Sequence, residues 1–222
     1  VGPATTYEIT TEDILNALRG HDERFLQALV AGHIKLLRTS WLRSQPTGWK
    51  MLRRQDLEML EASDPSQQPF LSADEAAAAL SAGDRRIAVL SYGWLTQPHP
   101  DPYGRTVAAV RTHLERQPAL VGLFWDYGSL PQKPRTAADN VNFKAALTIM
   151  CDAYASIIGT CVLQLKEVPP RPAGLDGIVY VCNLRATSTS IAPSASDDRA
   201  MVETAFRDAS QRVGAIELYP GE

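Results

Sequence analysis

A carboxylate at the end of an apolar run, ringed by hydroxyls and aromatic side chains, has the chemistry to hold a ligand that carries a ring and a hydrogen-bond donor. Residues 120–126 (Leu-Val-Gly-Leu-Phe-Trp-Asp) end on Asp126, and Tyr127-Gly128-Ser129 follow. A second apolar run, residues 87–92, ends on Ser91 and Tyr92 and leads into Gly93-Trp94. Asp126 either binds a ribose hydroxyl or orients a partner group, or it caps the turn 127–129. Ser91, Tyr92, Trp94 and Ser129 complete the candidate ligand-binding set, and no residue is assigned a catalytic role. Three prolines fix backbone angles in the loop between Tyr92 and Arg105 and make it stiff, and two glycines allow close approach or a positive φ. A helix follows that loop, so main-chain N–H groups around 104–107 suit an anion such as phosphate, with Lys133 and Arg135 adding positive charge. Alternatively, His99 and Asp101 make turn hydrogen bonds there.

These residues need elements to carry them. Val107, Val110 and Leu114 have helical spacing, as do Phe143, Leu147, Met150, Cys151 and Tyr154. With a third apolar stretch at 157–165, residues 86–165 read as strand–helix–strand–helix–strand, a parallel sheet of the α/β class. Ligands in such sheets sit at the carboxyl ends of the strands, where Ser91 and Asp126 fall.

The amino-terminal third reads as helical. Thr10 to Asp13 offers an N-cap and acidic first turn, and Gly20 is expected to stop that helix. Leu26, Leu29, Val30, His33, Leu37 and Trp41 form one stripe and predict a longer helix over 22–43, with His33 a satisfied core histidine. A third helix is expected over 54–61. The polar, proline-bearing stretch 63–69 is a loop and the expected boundary between a helical segment (1–62) and the α/β domain (70–168). Ser72 and Glu75 have capping-box spacing, and Gly83 suits a helix end. No chemistry is read from these helices, which suit a scaffold or docking surface.

The composition narrows the function classes. At 222 residues, 45% hydrophobic and net charge -3, the chain is globular in composition, with no basic excess for nucleic acid or anionic membrane. Cys151, Cys161 and Cys182 lie in apolar runs, which predicts buried thiols in a reducing, intracellular compartment. The four histidines are scattered and no metal-ligand spacing occurs. The uncharged stretch 145–165 is broken by Asp152 and Gly159, so no membrane span is expected. Val1-Gly2-Pro3 reads as the start of a processed or excised piece of a longer protein.

Three blocks in order carry a family resemblance: Ile87 to Trp94 with Ser91-Tyr92-Gly93-Trp94, Leu123 to Gln132 with Asp126 and Gln132, and a helix with Phe143, Met150 and Tyr154-Ala155. Together they resemble the HET and TIR-like group. That resemblance implies a three-layer, flavodoxin-like parallel sheet and either NAD-related nucleotide chemistry or signalling through self-association or a protein partner. TIR-type enzymes that cleave NAD use a glutamate in a Trp-Cys-x-x-Glu run after the third strand, and no such run occurs here. Glu167 stands beside paired prolines and Glu203 on a different element. The expectation is therefore a non-catalytic nucleotide-sensing or protein-interaction module, with NAD-type nucleotide glycohydrolase as the alternative.

Beyond a stiff Pro-Pro-Arg-Pro linker, residues 178–184 resemble the first strand of an RNA-recognition motif, with Tyr180 at its base-stacking position. A helix over 197–212 and a strand over 214–219 continue a half-motif of βαβ form within 175–222. RNA binding through Tyr180 is the second alternative. The other reading of this piece is that it packs onto the main domain or a partner.

Overall fold

The computed structural model describes residues 10–96, 98–156, 159–166, 178–182 and 215–219. Two compact units divide the chain, Val1–Pro169 and Pro170–Glu222.

In the first unit Thr10 begins α1 (Thr11–Val30) with a full capping box to Asp13. This helix runs straight through Gly20, which corrects the expected stop: one internal glycine costs only about 1 kcal/mol, while Phe25, Ala28 and Leu29 beyond it are buried. The chain turns instead at Gly32, whose φ of 71° suits glycine. The helix expected over 22–43 therefore stops at Val30, as the end of α1. Its second half is strand β1 (Leu37–Arg38) and the short helix α2 (Thr39–Ser44). His33 is satisfied, its Nδ1 lying 3.1 Å from Asn142 Oδ1.

The remaining elements are α3 (Arg54–Ser63), α4 (Ala73–Ser81), β2 (Ile87–Ser91), α5 (Arg105–Arg116), β3 (Gly122–Phe124), the single turn α6 (Asp126–Ser129), α7 (Ala137–Ala155) and β4 (Thr160–Gln164). Capping boxes start α4 at Ser72 and α7 at Thr136. The strands form one open sheet in the order β1-β3-β2-β4. β3, β2 and β4 are parallel, with Ala88 opposite Leu123 on one side and Cys161 on the other. β1 joins antiparallel at the edge, so residues before the 63–69 loop contribute to the same sheet as those after it.

Alternation along the strands builds two cores. Ile87, Val89 and Phe124 pack with Phe25, Leu29, Leu80, Ala146 and Ala153 from α1, α4 and α7. Ala88, Leu90, Leu123 and Trp125 pack with Trp41, Leu57, Val107, Val110 and Leu114 from α2, α3 and α5. Helices thus cover both faces of a mostly parallel sheet, as near-continuous apolar strands require.

Cys151 and Cys161 are free thiols. Burial fails for Cys151, which is exposed because α7 turns its next residues, Asp152 and Ala153, inward. In the second unit β5 (Ile178–Cys182) and β6 (Ala215–Tyr219) pair in parallel, with Tyr180 opposite Glu217. The helix expected over 197–212 lies outside the described residues. Among the described residues no helix is long and apolar enough to cross a membrane.

Candidate functional site

The connections from β2 and β3 diverge. The chain leaves β2 through α5 on one face to reach β3, then leaves β3 through α7 on the other face to reach β4, on the far side of β2. A gap between loops at the carboxyl ends of two such strands is where open α/β sheets accept ligands. Trp94 follows β2 and Asp126 follows β3, and they meet there.

Asp126 holds three hydrogen bonds. Its Oδ1 accepts from the Tyr92 hydroxyl at 2.8 Å and from the Tyr127 main-chain N–H at 2.7 Å. Its Oδ2 accepts from the Trp94 indole N–H at 3.0 Å. Burial pushes the Asp126 carboxyl above its ordinary range, opposed by the bonds from Tyr92, Trp94 and Tyr127. Burial and the neighbouring Asp126 charge likewise push the Tyr92 hydroxyl up, so Tyr92 is a donor at neutral pH. Asp126 thus engages side chains from the β2 loop and bonds the next main-chain N–H, while the α6 turn begins at Trp125 with no side-chain cap.

Aromatic rings brace this carboxylate. Tyr92 meets Trp125 edge-on at 5.5 Å, and Trp94 meets Tyr127 edge-on at 5.8 Å. Such contacts contribute about 0.5–1.5 kcal/mol each beyond area burial. Tyr127 is 5% exposed, whereas the Trp94 ring is 42% exposed. His99 lies 4.9 Å from the Tyr127 ring. Its Nδ1 accepts the Asp101 N–H at 2.9 Å, so the ring proton sits on Nε2 and is donated to the Met51 carbonyl, also at 2.9 Å.

The remaining candidates are placed differently. Ser91 pairs with Gln164 and accepts the Leu165 N–H on its carbonyl. Strand alternation puts it on the opposite face from Tyr92. Ser129 is fully buried, and its Oγ accepts the Trp125 N–H at 3.0 Å, closing the α6 turn from inside. Tyr92, Trp94 and Asp126 therefore come together, and Ser91 and Ser129 do not join them. Tyr127, which the sequence reading left unassigned, forms the wall behind Trp94. Its place next to Asp126 was the one available signal.

The phosphate position expected at the start of α5 is filled by the protein. Asp101 is wholly buried and its Oδ2 accepts the Val107 N–H at 2.9 Å. Gly104 precedes α5 with a φ of 70°, and a Cβ there would come within 2.9 Å of the Trp49 carbonyl. Arg135 is committed elsewhere: its guanidinium lies 3.3 Å over the Phe143 ring and its Nε donates to the Pro131 carbonyl. Gln132 donates to the carbonyls of Asp126 and Leu130, and it exchanges two hydrogen bonds with Gln55.

A separate cleft of about 670 Å³ opens along β1, lined by Lys35, Arg38, Glu61, Phe70 and Glu75 among others. Its cations are already neutralised, Lys35 by Glu58 at 2.9 Å and Arg38 by Glu75 at 2.6 Å. This cleft thus carries closed ion pairs. Comparison with family models, curated proteins and solved structures found no match to this chain.

Proposed function

We propose that this chain is a non-catalytic recognition module of TIR/HET-like type, binding a nucleoside or nucleotide at the β2–β3 strand ends and relaying that state to a protein partner. The supporting observation is the hydrogen-bond tally at Asp126. Oδ1 accepts two protein donors, whereas Oδ2 accepts only from Trp94 among the described residues. A carboxylate oxygen takes two donors, so Oδ2 has room for one more, beside an exposed indole. A ribose hydroxyl or base N–H donating to Oδ2, with its ring against Trp94, uses both.

NAD cleavage is disfavoured by the sequence, which lacks the Trp-Cys-x-x-Glu run of TIR-type enzymes that cleave NAD. Departure of nicotinamide leaves positive charge on the ribose, and catalysis requires a carboxylate aimed at that charge.

Titrating the full chain with adenosine, AMP and NAD while following tryptophan fluorescence tests this reading. Binding is expected to weaken at least tenfold, about 1.4 kcal/mol, in Trp94→Ala and in Asp126→Asn. Binding unchanged in Trp94→Ala, or no binding across the three compounds, defeats it. Nicotinamide released from NAD in proportion to protein added would replace it with the hydrolase reading.

A further inference from the structure

We infer that the end of the ligand held beside Asp126 is a positively charged heteroaromatic ring, with any phosphate left outside. This rests on the recognition reading above and goes beyond it by assigning the ligand's charge.

Three observations carry it. First, the helix start that would attract a phosphate is occupied by a carboxylate of the protein itself, Asp101. An incoming anion would have to displace that group from a wholly buried position.

Second, the three hydrogen bonds that Asp126 accepts come from neutral donors, the Tyr92 hydroxyl, the Trp94 indole and the Tyr127 main chain, which bring no counter-charge to its carboxylate.

Third, nearby cations are engaged in structure. Arg135 stacks on Phe143, and Arg53 is paired with Asp56 at 2.6 Å. The exposed surface left to a ligand is the Trp94 ring, whose π face is electron-rich and binds cations better than any other side-chain ring. An indole beside a carboxylate with a vacant acceptor position matches a flat cation that also donates a hydrogen bond.

Three probes that share a ring and a ribose and differ in charge decide the matter: 1-methyladenosine (positive at pH 7), adenosine (neutral) and AMP (negative). Each is titrated into the full chain at low ionic strength with tryptophan fluorescence as the readout. The expected order is 1-methyladenosine tightest and AMP at least tenfold weaker. The gap should narrow at high salt and in Asp126→Asn, and should be unaffected by Arg105→Ala on the exposed start of α5. If AMP binds tightest, or all three bind alike, the charge assignment fails while the recognition reading stands. If none of the three binds, both fail.

Discussion

At the scale of single residues, two carboxylates in this fold respond to pH in opposite senses. Glu75 accepts both guanidinium N–H groups of Arg38 and caps α4 with Ser72, which lowers its pKa from 4.5 to about 2. Its contribution is present above pH 4.5 and is lost as pH falls toward 2. Because the pair is partly exposed, screening limits it to under about 1 kcal/mol. Asp126 is raised by burial, so its ionisation costs stability, and that cost appears as pH rises above its ordinary value of 3.8. Urea unfolding measured from pH 3 to pH 7 should show Glu75→Gln weakening the loss of stability on the acid side. Asp126→Asn should remove an opposing decline toward neutral pH. Ser129→Ala gives a third test, since it strands the buried Trp125 N–H and should cost about 1–3 kcal/mol in the same assay. Apolar runs ending in Asp126 and Tyr92 were legible in the sequence because burial and strand ends leave composition signals. The inward turn of Ser129 was not, since a one-residue change of direction in a tight turn leaves none.

At the scale of elements, the strands β2, β3 and β4 were readable as apolar runs and the helices α5 and α7 from helical spacing, although Leu147 and Cys151 of the α7 stripe are exposed. Residues 22–43 were not. Leu26, Leu29, Leu37 and Trp41 keep helical spacing, yet Gly32 breaks the helix and β1 is only two residues long. A two-residue strand has no period to detect. Its identity comes from its neighbours: Leu37 faces Leu123 across the sheet, and the Arg38 N–H donates to the Pro69 carbonyl. The start of α5 shows the same dependence on distant chain, because Gly104 packs against the Trp49 carbonyl. Gly104→Ala both strains a positive φ and forces that backbone contact, so a loss of about 1–3 kcal/mol is expected in thermal unfolding. Weaker ligand quenching of Trp94 should accompany it, since α5 anchors the loop that carries this ring.

At the scale of the whole first unit, Arg54 joins pieces far apart in the chain. It is 4% exposed, and it donates to the carbonyls of Gly32, His33 and Ser129 and to Glu58. One guanidinium thereby links α3 to the turn after α1 and to the α6 turn under the site. Arg54→Lys keeps the charge but cannot serve four acceptors in a fixed fork, so a loss of about 2–3 kcal/mol is expected from denaturant titration. Arg54 in the sequence is one of several basic residues at 50–54, and nothing local marks it as buried. The edge position of β1 has a practical corollary for anyone cutting the gene at the proline-rich stretch. A fragment starting at residue 70 would strip the outer flank of β3 bare, leaving Gly122 to Phe124 with unmet main-chain groups and Leu123 without its cover. Such a naked border templates pairing with other copies, so light scattering should show that fragment clumping under conditions where the chain from residue 10 onward stays dispersed.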